Sequence, residues 1–316
     1  MQSLEPAEPP SASVALRRPR ESALARLDLK TLRLSTHGWR LGATLVYKPG
    51  VRDLTTVARE LASAGLPSGA LLLDDTAEGD PAARATHTPH PASVRMALIV
   101  RELAPRAELG MAAACAVAEI VEGALGRLCA IAWPWDVGLH TGGALSRICR
   151  VSVEIDPAQE VAYVGLRLAL ARIWDAHRAM QAAGGMPTSA LFARDHWREI
   201  MLARALHALD ARLSALTAPH DTERRTARLA LAQDWQRRVI APQRVVVAGC
   251  DGSRVAGQGT QVAPDGALLV RHSPHAPRRF ALEDIALAWG TGWDTPLAGA
   301  MVQPEQERNT PHEYTR

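Results

Sequence analysis

The stretch from Cys129 to Ile155, CAIAWPWDVGLHTGGALSRICRVSVEI, constrains the fold more than any other part of the chain. Cys129 to Trp133 is short and apolar, and it stops at Pro134, whose nitrogen has no hydrogen to donate to a strand ladder. His140 to Gly143 supplies turn residues, while Ile148, Val151, Val153 and Ile155 carry strand character. The expectation is a strand ending in a Trp-Pro corner, a glycine-bearing turn, and a second strand returning beside the first.

The residues on either side extend this unit. Gly42 to Tyr47 and Ala70 to Leu73 read as strands, and between them Asp53 to Ala64 is amphipathic, with Leu54, Val57, Leu61 and Ala64 on one face. Gly65 and Pro67 end that helix. A polar loop follows over Asp74 to Ser93, punctuated by Gly79, Pro81, Pro89 and Pro91. Val94 to Val100 is again a strand, Ala107 to Leu128 a helix dense in alanine, and Val161 to Leu168 a closing strand. Strand, helix, strand, loop, strand, helix, hairpin and strand together argue for an α+β, mixed-sheet domain. Thr188 to Leu216 and Arg224 to Ile240 are helical by period, with Leu191, Trp197, Ile200, Met201, Leu206, Leu209 and Leu213 as a core stripe. From Pro242 the pattern changes to short β runs with Asp251-Gly252 and Asp265-Gly266 turns, which reads as a small β-barrel.

Composition sets outer limits. The 316 residues, 47% hydrophobic and 22% charged, allow one large folded domain and a smaller one. A net charge of +3 does not by itself argue for nucleic acid, and no apolar run approaches the ~20 residues of a membrane span. The first thirty residues have no stretch of signal-peptide type, and the four cysteines lack paired metal-ligand spacing. These features predict a cytoplasmic protein with reduced core thiols, no nucleic acid partner and no membrane. The expected organisation is a flexible region at 1–40, the α+β domain at 41–170, a helical segment at 171–241, the small barrel at 242–290 and a tail at 291–316.

Ala132-Trp133-Pro134-Trp135-Asp136 resembles the Lys-Trp-Pro-Asn-Asp strand end of biotin protein ligases and their lipoate-ligase relatives. The resemblance continues in order along the chain. Asp53-Leu54-Thr55-Thr56 takes the place of an Asp-Ser-Thr-Asn helix start, Thr76 to Pro89 that of the family's arginine- and glycine-rich ligand loop, and Ala112 to Leu125 that of an alanine-rich helix. Val164-Gly165 matches a Val-x-Gly strand, Trp235 a tryptophan ending the last helix, and Ala256-Gly257 with Pro264 to Val270 the SH3-like C-terminal module. The resemblance implies a biotin/lipoate ligase-like mixed sheet with helices, plus an SH3-like barrel.

The same resemblance exposes altered chemistry. Ligases of this family hold phosphate with a cradle of amides and arginines and neutralise the forming acyl-adenylate with a lysine. Here the cradle reads Glu78, Gly79, Asp80, Pro81, Ala82, Ala83, Arg84, so Arg84 keeps its charge while two carboxylates enter. The lysine position is Ala132 and the asparagine position Trp135. The family's second lysine falls near Gly143 or Ala144 counted from Asp136, and on Arg147 counted from Glu154, which makes Arg147 a candidate substitute. Positions equivalent to ligand contacts are Gly79, Arg84, Trp133, Pro134, Trp135, Asp136, Gly143 and Arg147. Trp135 is a candidate to fill the former acyl pocket.

Other candidates have plainer readings. His87-x-x-His90 and His272-x-x-His275 have metal-like spacing without a third ligand, so no metal is expected. Asp74 and Asp75 end a buried strand, as a cation site or as strand-end solvation. Cys115 and Cys149 read as structural thiols. The resulting expectation is a ligase-like protein without standard adenylation, acting by binding a biotinyl- or lipoyl-type carrier domain, an acyl ligand or a pathway partner. The alternative is an active ligase or acyltransferase with a rebuilt site, using ATP and biotin or lipoate.

Overall fold

The computed structural model describes residues 26–75, 93–101, 104–141, 144–184, 190–241, 244–249, 254–263, 266–272, 277–282 and 285–291. Eight strands form the main sheet: β1 (Leu45–Tyr47), β2 (Leu71–Asp74), β3 (Val94–Val100), β4 (Cys129–Ala132), β5 (Asp136–Thr141), β6 (Ala144–Asp156), β7 (Val161–Leu168) and β8 (Val239–Ile240). Their order is β1-β2-β3-β7-β6-β5-β4-β8. The β1–β2 and β4–β8 pairs are parallel and the rest antiparallel, so this is the expected mixed sheet in an α+β fold.

One face of the sheet is covered by helix α3 (Arg106–Leu125), whose residues from Leu109 to Ala118 are all buried. Its run of glycine and alanine brings the helix close to the strands while larger strand side chains fill the layer. Outside α3 lie α5 (Trp197–Leu216) and α6 (Asp221–Gln236), and α1 (Leu29–Thr36) packs on α5. The opposite face carries α2 (Leu54–Ser63) over β2, β3 and β7. Asp53 caps α2: its carboxylate accepts from the Thr55 and Thr56 amides and from the Thr56 hydroxyl at 2.6 Å. The buried stripe of α2 is Leu54, Ala58 and Ala62 against Leu72, Ala97, Ile99 and Tyr163. The expected stripe through Val57, Leu61 and Ala64 lies one step round: Val57 and Leu61 flank the contact, and Ala64 is exposed past the helix end.

Several elements differ from the sequence expectation. The returning strand β6 does not pair with β4, because β5 runs between them and Trp133 to Trp135 form a complete turn of their own. His140 and Thr141 belong to β5 and not to a turn. The helix expected over Arg224–Ile240 spans Asp221–Gln236, and Val239–Ile240 instead joins the sheet beside β4. Thr188 to Leu216 is not one helix: a 3-10 turn at Ala190–Ala193 precedes α5. Helix α4 (Leu170–Ala182) was not read from the sequence. Within the region expected to be flexible, α1 is anchored by Leu27 and Leu32, both in the core.

The C-terminal residues form a five-stranded antiparallel sheet where the SH3-like module is expected: β9 (Arg244–Gly249), β10 (Arg254–Val262), β11 (Leu268–Arg271), β12 (Arg278–Phe280) and β13 (Ile285–Thr291), ordered β12-β11-β10-β9-β13. Strand β10 pairs with β9 through Arg254 to Gly257 and with β11 from Gln258 onward. A Cβ at Gly257 would lie 2.5 Å from the Arg271 carbonyl oxygen, so this change of partner requires glycine.

An ion-pair cluster ties the outer helices to the sheet. Asp234 of α6 accepts from Arg212 of α5 at 3.3 Å, from Arg237 at 2.7 Å and from Arg238. Arg238 also reaches Glu122 of α3 at 2.7 Å, and Glu122 accepts the Cys129 amide that opens β4. Burial raises the Asp234 carboxyl, but the hydrogen bonds from Arg238 and Arg237 outweigh it and hold the group below its ordinary value. Its contribution is therefore present above about pH 4 and lost as pH falls through the lower folded value. Asp234→Asn is expected to cost about 2 kcal/mol at neutral pH. In urea melts the difference from wild type should shrink at about pH 3, where the carboxylate is protonated in the wild type as well.

Candidate functional site

The Trp-Pro corner gathers four parts of the molecule. Trp133, Pro134 and Trp135 turn the chain between β4 and β5, Ala132 pairs with Asp136 across the turn, and the Trp133–Pro134 peptide is cis. The Trp133 indole donates through Nε1 to the Gly266 carbonyl of the C-terminal sheet at 2.8 Å. Trp235, at the end of α6, donates through Nε1 to the Pro134 carbonyl at 3.3 Å. Gly266 itself needs a left-handed backbone, with φ +86°.

Trp135 is 5% exposed and packs against Gly110 of α3, where a Cβ would come within 2.2 Å of the indole ring. The Arg106 guanidinium lies 5.8 Å from the ring centroid, and its Nε donates to the Val153 carbonyl at 2.9 Å. Trp135 Nε1 has no hydrogen-bond partner among the described residues. This side chain therefore serves by volume, on the face of the sheet that α3 covers.

On the other side of the corner, β5 and β6 are brought out of simple register. Val137 opposes Cys149 while Gly138 opposes Arg147, so Ile148 is an extra residue on β6. The bulge sets Arg147 beside Asp136, with Nε 3.0 Å from Oδ2. Arg147 is buried and Asp136 half-buried. Burial pushes the Asp136 carboxyl up, against the pull of Arg147 and Arg150, and burial lowers the Arg147 guanidinium against the pull of Asp136. Arg172 of α4 extends the group, donating to the Arg147 carbonyl at 3.2 Å.

Ala132, Trp133, Pro134, Trp135, Asp136 and Arg147 are thus brought together, and the register places Arg147 at the corner. Gly79, Arg84 and Gly143 lie outside the described residues, as do Glu78, Asp80, His87, His90, His275 and Cys250. His272 places its Nδ1 2.7 Å from the Ala256 carbonyl oxygen. Asp74 and Asp75 are both engaged by protein groups: Asp75 accepts from the Leu27 amide and the Tyr47 hydroxyl, and Asp74 from Arg95 and the Gly50 amide. Both carboxylates thus face protein donors among the described residues. Among the described residues no group of three or more His, Cys, Asp or Glu is placed to hold a metal ion, and no helix is long and apolar enough to cross a membrane. Burial pushes the Cys115 and Cys129 thiols up to about 12 and raises Cys149 as well, so none is poised as a thiolate. Sequence reading missed Arg95, Arg150 and Arg167, which the sheet sets in one row. The available signal was polar–apolar alternation, as in Arg150, Ser152 and Glu154 around Val151 and Val153.

This arrangement, a mixed sheet with an α3-backed Trp-Pro corner and a C-terminal five-stranded sheet docked on it, is a biotin protein ligase-like fold. Solved structures of the biotin protein ligase of Aquifex aeolicus superpose on it. The R40G mutant in complex with biotin gives a TM-score of 0.50 at 13% identity, covering 77% of this chain and 97% of that one. The enzyme in complex with biotin and ATP gives 0.50 at 12% identity, covering 78% and 99%. No family model matches the sequence, and no curated protein matches it.

Two substitutions test the corner. Gly110→Ala is expected to destabilise by about 1–3 kcal/mol, because the methyl meets a rigid ring. Trp135→Asn should cost about 3 kcal/mol or more through the cavity it leaves. The double variant should be less destabilised than the sum of the two, read from denaturant midpoints in a double-mutant cycle.

Proposed function

We propose that this chain is a biotin/lipoate ligase-fold protein that does not form an acyl-adenylate by the family's route and works by binding. Its expected targets are a biotinyl- or lipoyl-type carrier domain, a small acyl ligand or a pathway protein. The observation that carries this reading is the Arg147–Asp136 pair. Adenylation brings a carboxylate against phosphate and needs a free positive charge at that point. Ala132 contributes none, and the charge of Arg147 is opposed by a carboxylate 3.0 Å away. Withdrawing Arg147 would take from Asp136 the cation that opposes its burial most strongly, leaving Arg150 and the Val151 amide, and breaking such a pair costs about 3–5 kcal/mol, comparable to what a charged contact gains at a transition state. Glu78 and Asp80, by their place in the sequence, add negative charge to the segment that aligns with the phosphate loop.

The rival reading, a working ligase or acyltransferase using Arg84 and Arg147 with ATP and biotin or lipoate, requires Arg147 to leave Asp136. Pyrophosphate–ATP exchange separates the two. With biotin, lipoate or octanoate the purified protein is expected to give no exchange above a no-enzyme control. Exchange well above that control with any of the three overturns the binding reading.

A further inference from the structure

Four aromatic rings join helix α4 to the 3-10 turn and to the start of α5. Trp174 and His177, three positions apart on α4, share one helix face. Phe192 comes from the turn at Ala190–Ala193, and Trp197 is the first residue of α5. The His177 imidazole stacks on the Phe192 ring, with centroids 4.1 Å apart and planes 20° from parallel, and lies 5.3 Å from Trp174. Trp174 stacks in turn on Trp197 at 5.5 Å, and Phe192 lies 6.0 Å from Trp174 and 5.3 Å from Trp197.

His177 is a titratable group set where its charged form meets nothing that would stabilise it. It is 4% exposed, and among the described residues its Nδ1 has no hydrogen-bond partner. Trp197 Nε1, in the same cluster, is also buried without one, so stacking and apolar contact hold the rings together. The charged side chains nearby in sequence turn elsewhere. Asp175, Arg178, Arg194 and Asp195 are exposed, Arg198 donates to the Arg26 carbonyl at 2.9 Å, and Glu199 accepts the Asp28 amide at 2.8 Å. His196 is exposed, with its Nδ1 3.8 Å from the Asp28 carboxylate. On the other elements packed against α4, Glu108, Glu119 and Glu122 of α3 pair with Arg228, Arg212 and Arg238, while Arg147 and Arg150 of β6 act on Asp136. Burial lowers the proton affinity of His177, with no charged neighbour contributing.

We infer that α4 and the 3-10 turn form a pH-sensitive clasp, closed while His177 is neutral and released when His177 takes up a proton. An imidazolium held between these rings gives up its hydration and gains no counter-charge, and the attraction of ring faces for a cation is small beside that loss. Ionisation therefore favours a state in which the side chain reaches water. The closed clasp keeps its full stability above the ordinary imidazole value of 6.5 and loses it as pH falls from there toward the lower folded value. Release reaches the Trp-Pro corner through Arg172 of the same helix, whose guanidinium donates to the Ser146 hydroxyl at 3.4 Å and the Arg147 carbonyl at 3.2 Å. The clasp does not depend on the function proposed above.

The test is hydrogen exchange of the whole chain at about pH 7.5 and about pH 5, corrected for intrinsic rates, in wild type, His177→Phe and His196→Gln. In the wild type, protection over α4 and the 3-10 turn should fall about tenfold at the lower pH, while α3 stays unchanged. His177→Phe keeps a ring in the stack but cannot ionise, so the fall should vanish. His196→Gln should leave the fall in place. Histidine-ring NMR of the wild type is the second measurement: His177 should titrate below 6.5, in step with the loss of protection. Equal protection at both pH values, a fall that persists in His177→Phe or disappears in His196→Gln, or a His177 titration at or above the ordinary value overturns the clasp. Should His177→Phe not fold, the wild-type exchange and ring titration decide between these outcomes.

Discussion

The fold depends on three indoles wrapped around one proline. Trp133 ties the corner to Gly266 of the C-terminal sheet, Trp235 brings the end of α6 onto Pro134, and Trp135 fills the space over Gly110 of α3. Each contact joins elements far apart in sequence, and each combines a large buried apolar surface with a specific backbone or steric fit. The main sheet, its covering helices and the C-terminal sheet meet at this point, so a change in any of the three indoles reaches all of them.

The corner also separates the two faces of the sheet by chemistry. The α3 side is filled by apolar side chains and by the small residues that let the helix approach. The other side is apolar under α2 and turns polar toward β6, where arginines and two carboxylates replace hydrophobic contacts. Because strand side chains alternate, each strand serves both environments at once: Val151 and Val153 pack against the helix layer while Arg150 and Ser152 face away from it. A single strand therefore contributes to the core and to a candidate site without conflict between the two.

Forming an acyl-adenylate beside the Trp-Pro corner would need an uncompensated cation there. This chain has a cation there, but the β6 bulge at Ile148 delivers Arg147 to Asp136. A neutralised pair is a stable arrangement and a poor phosphate partner, since breaking it would expose the desolvated charge of Asp136.

Much of the scaffold was legible in the sequence. Val94–Val100 and Val161–Leu168 follow from continuous apolar runs, α3 from its alanine-rich stretch, and the Trp-Pro corner from the proline that ends β4. Asp53 with its two threonines marked the start of α2, because a capping carboxylate acts within three residues of its own position. Elements whose signal is not local were missed. β5 and β8 owe their strand state to the neighbours that pair with them, and α1 owes its order to Leu27 and Leu32 entering a core built by later residues. The sequence alone determined which residues are charged, which are apolar and where the chain can turn. The pairing of Arg147 with Asp136, and the alignment of Arg95, Arg167 and Arg150 across three strands, were decided by the tertiary structure, because cross-strand register and a one-residue bulge are set by how the whole sheet packs.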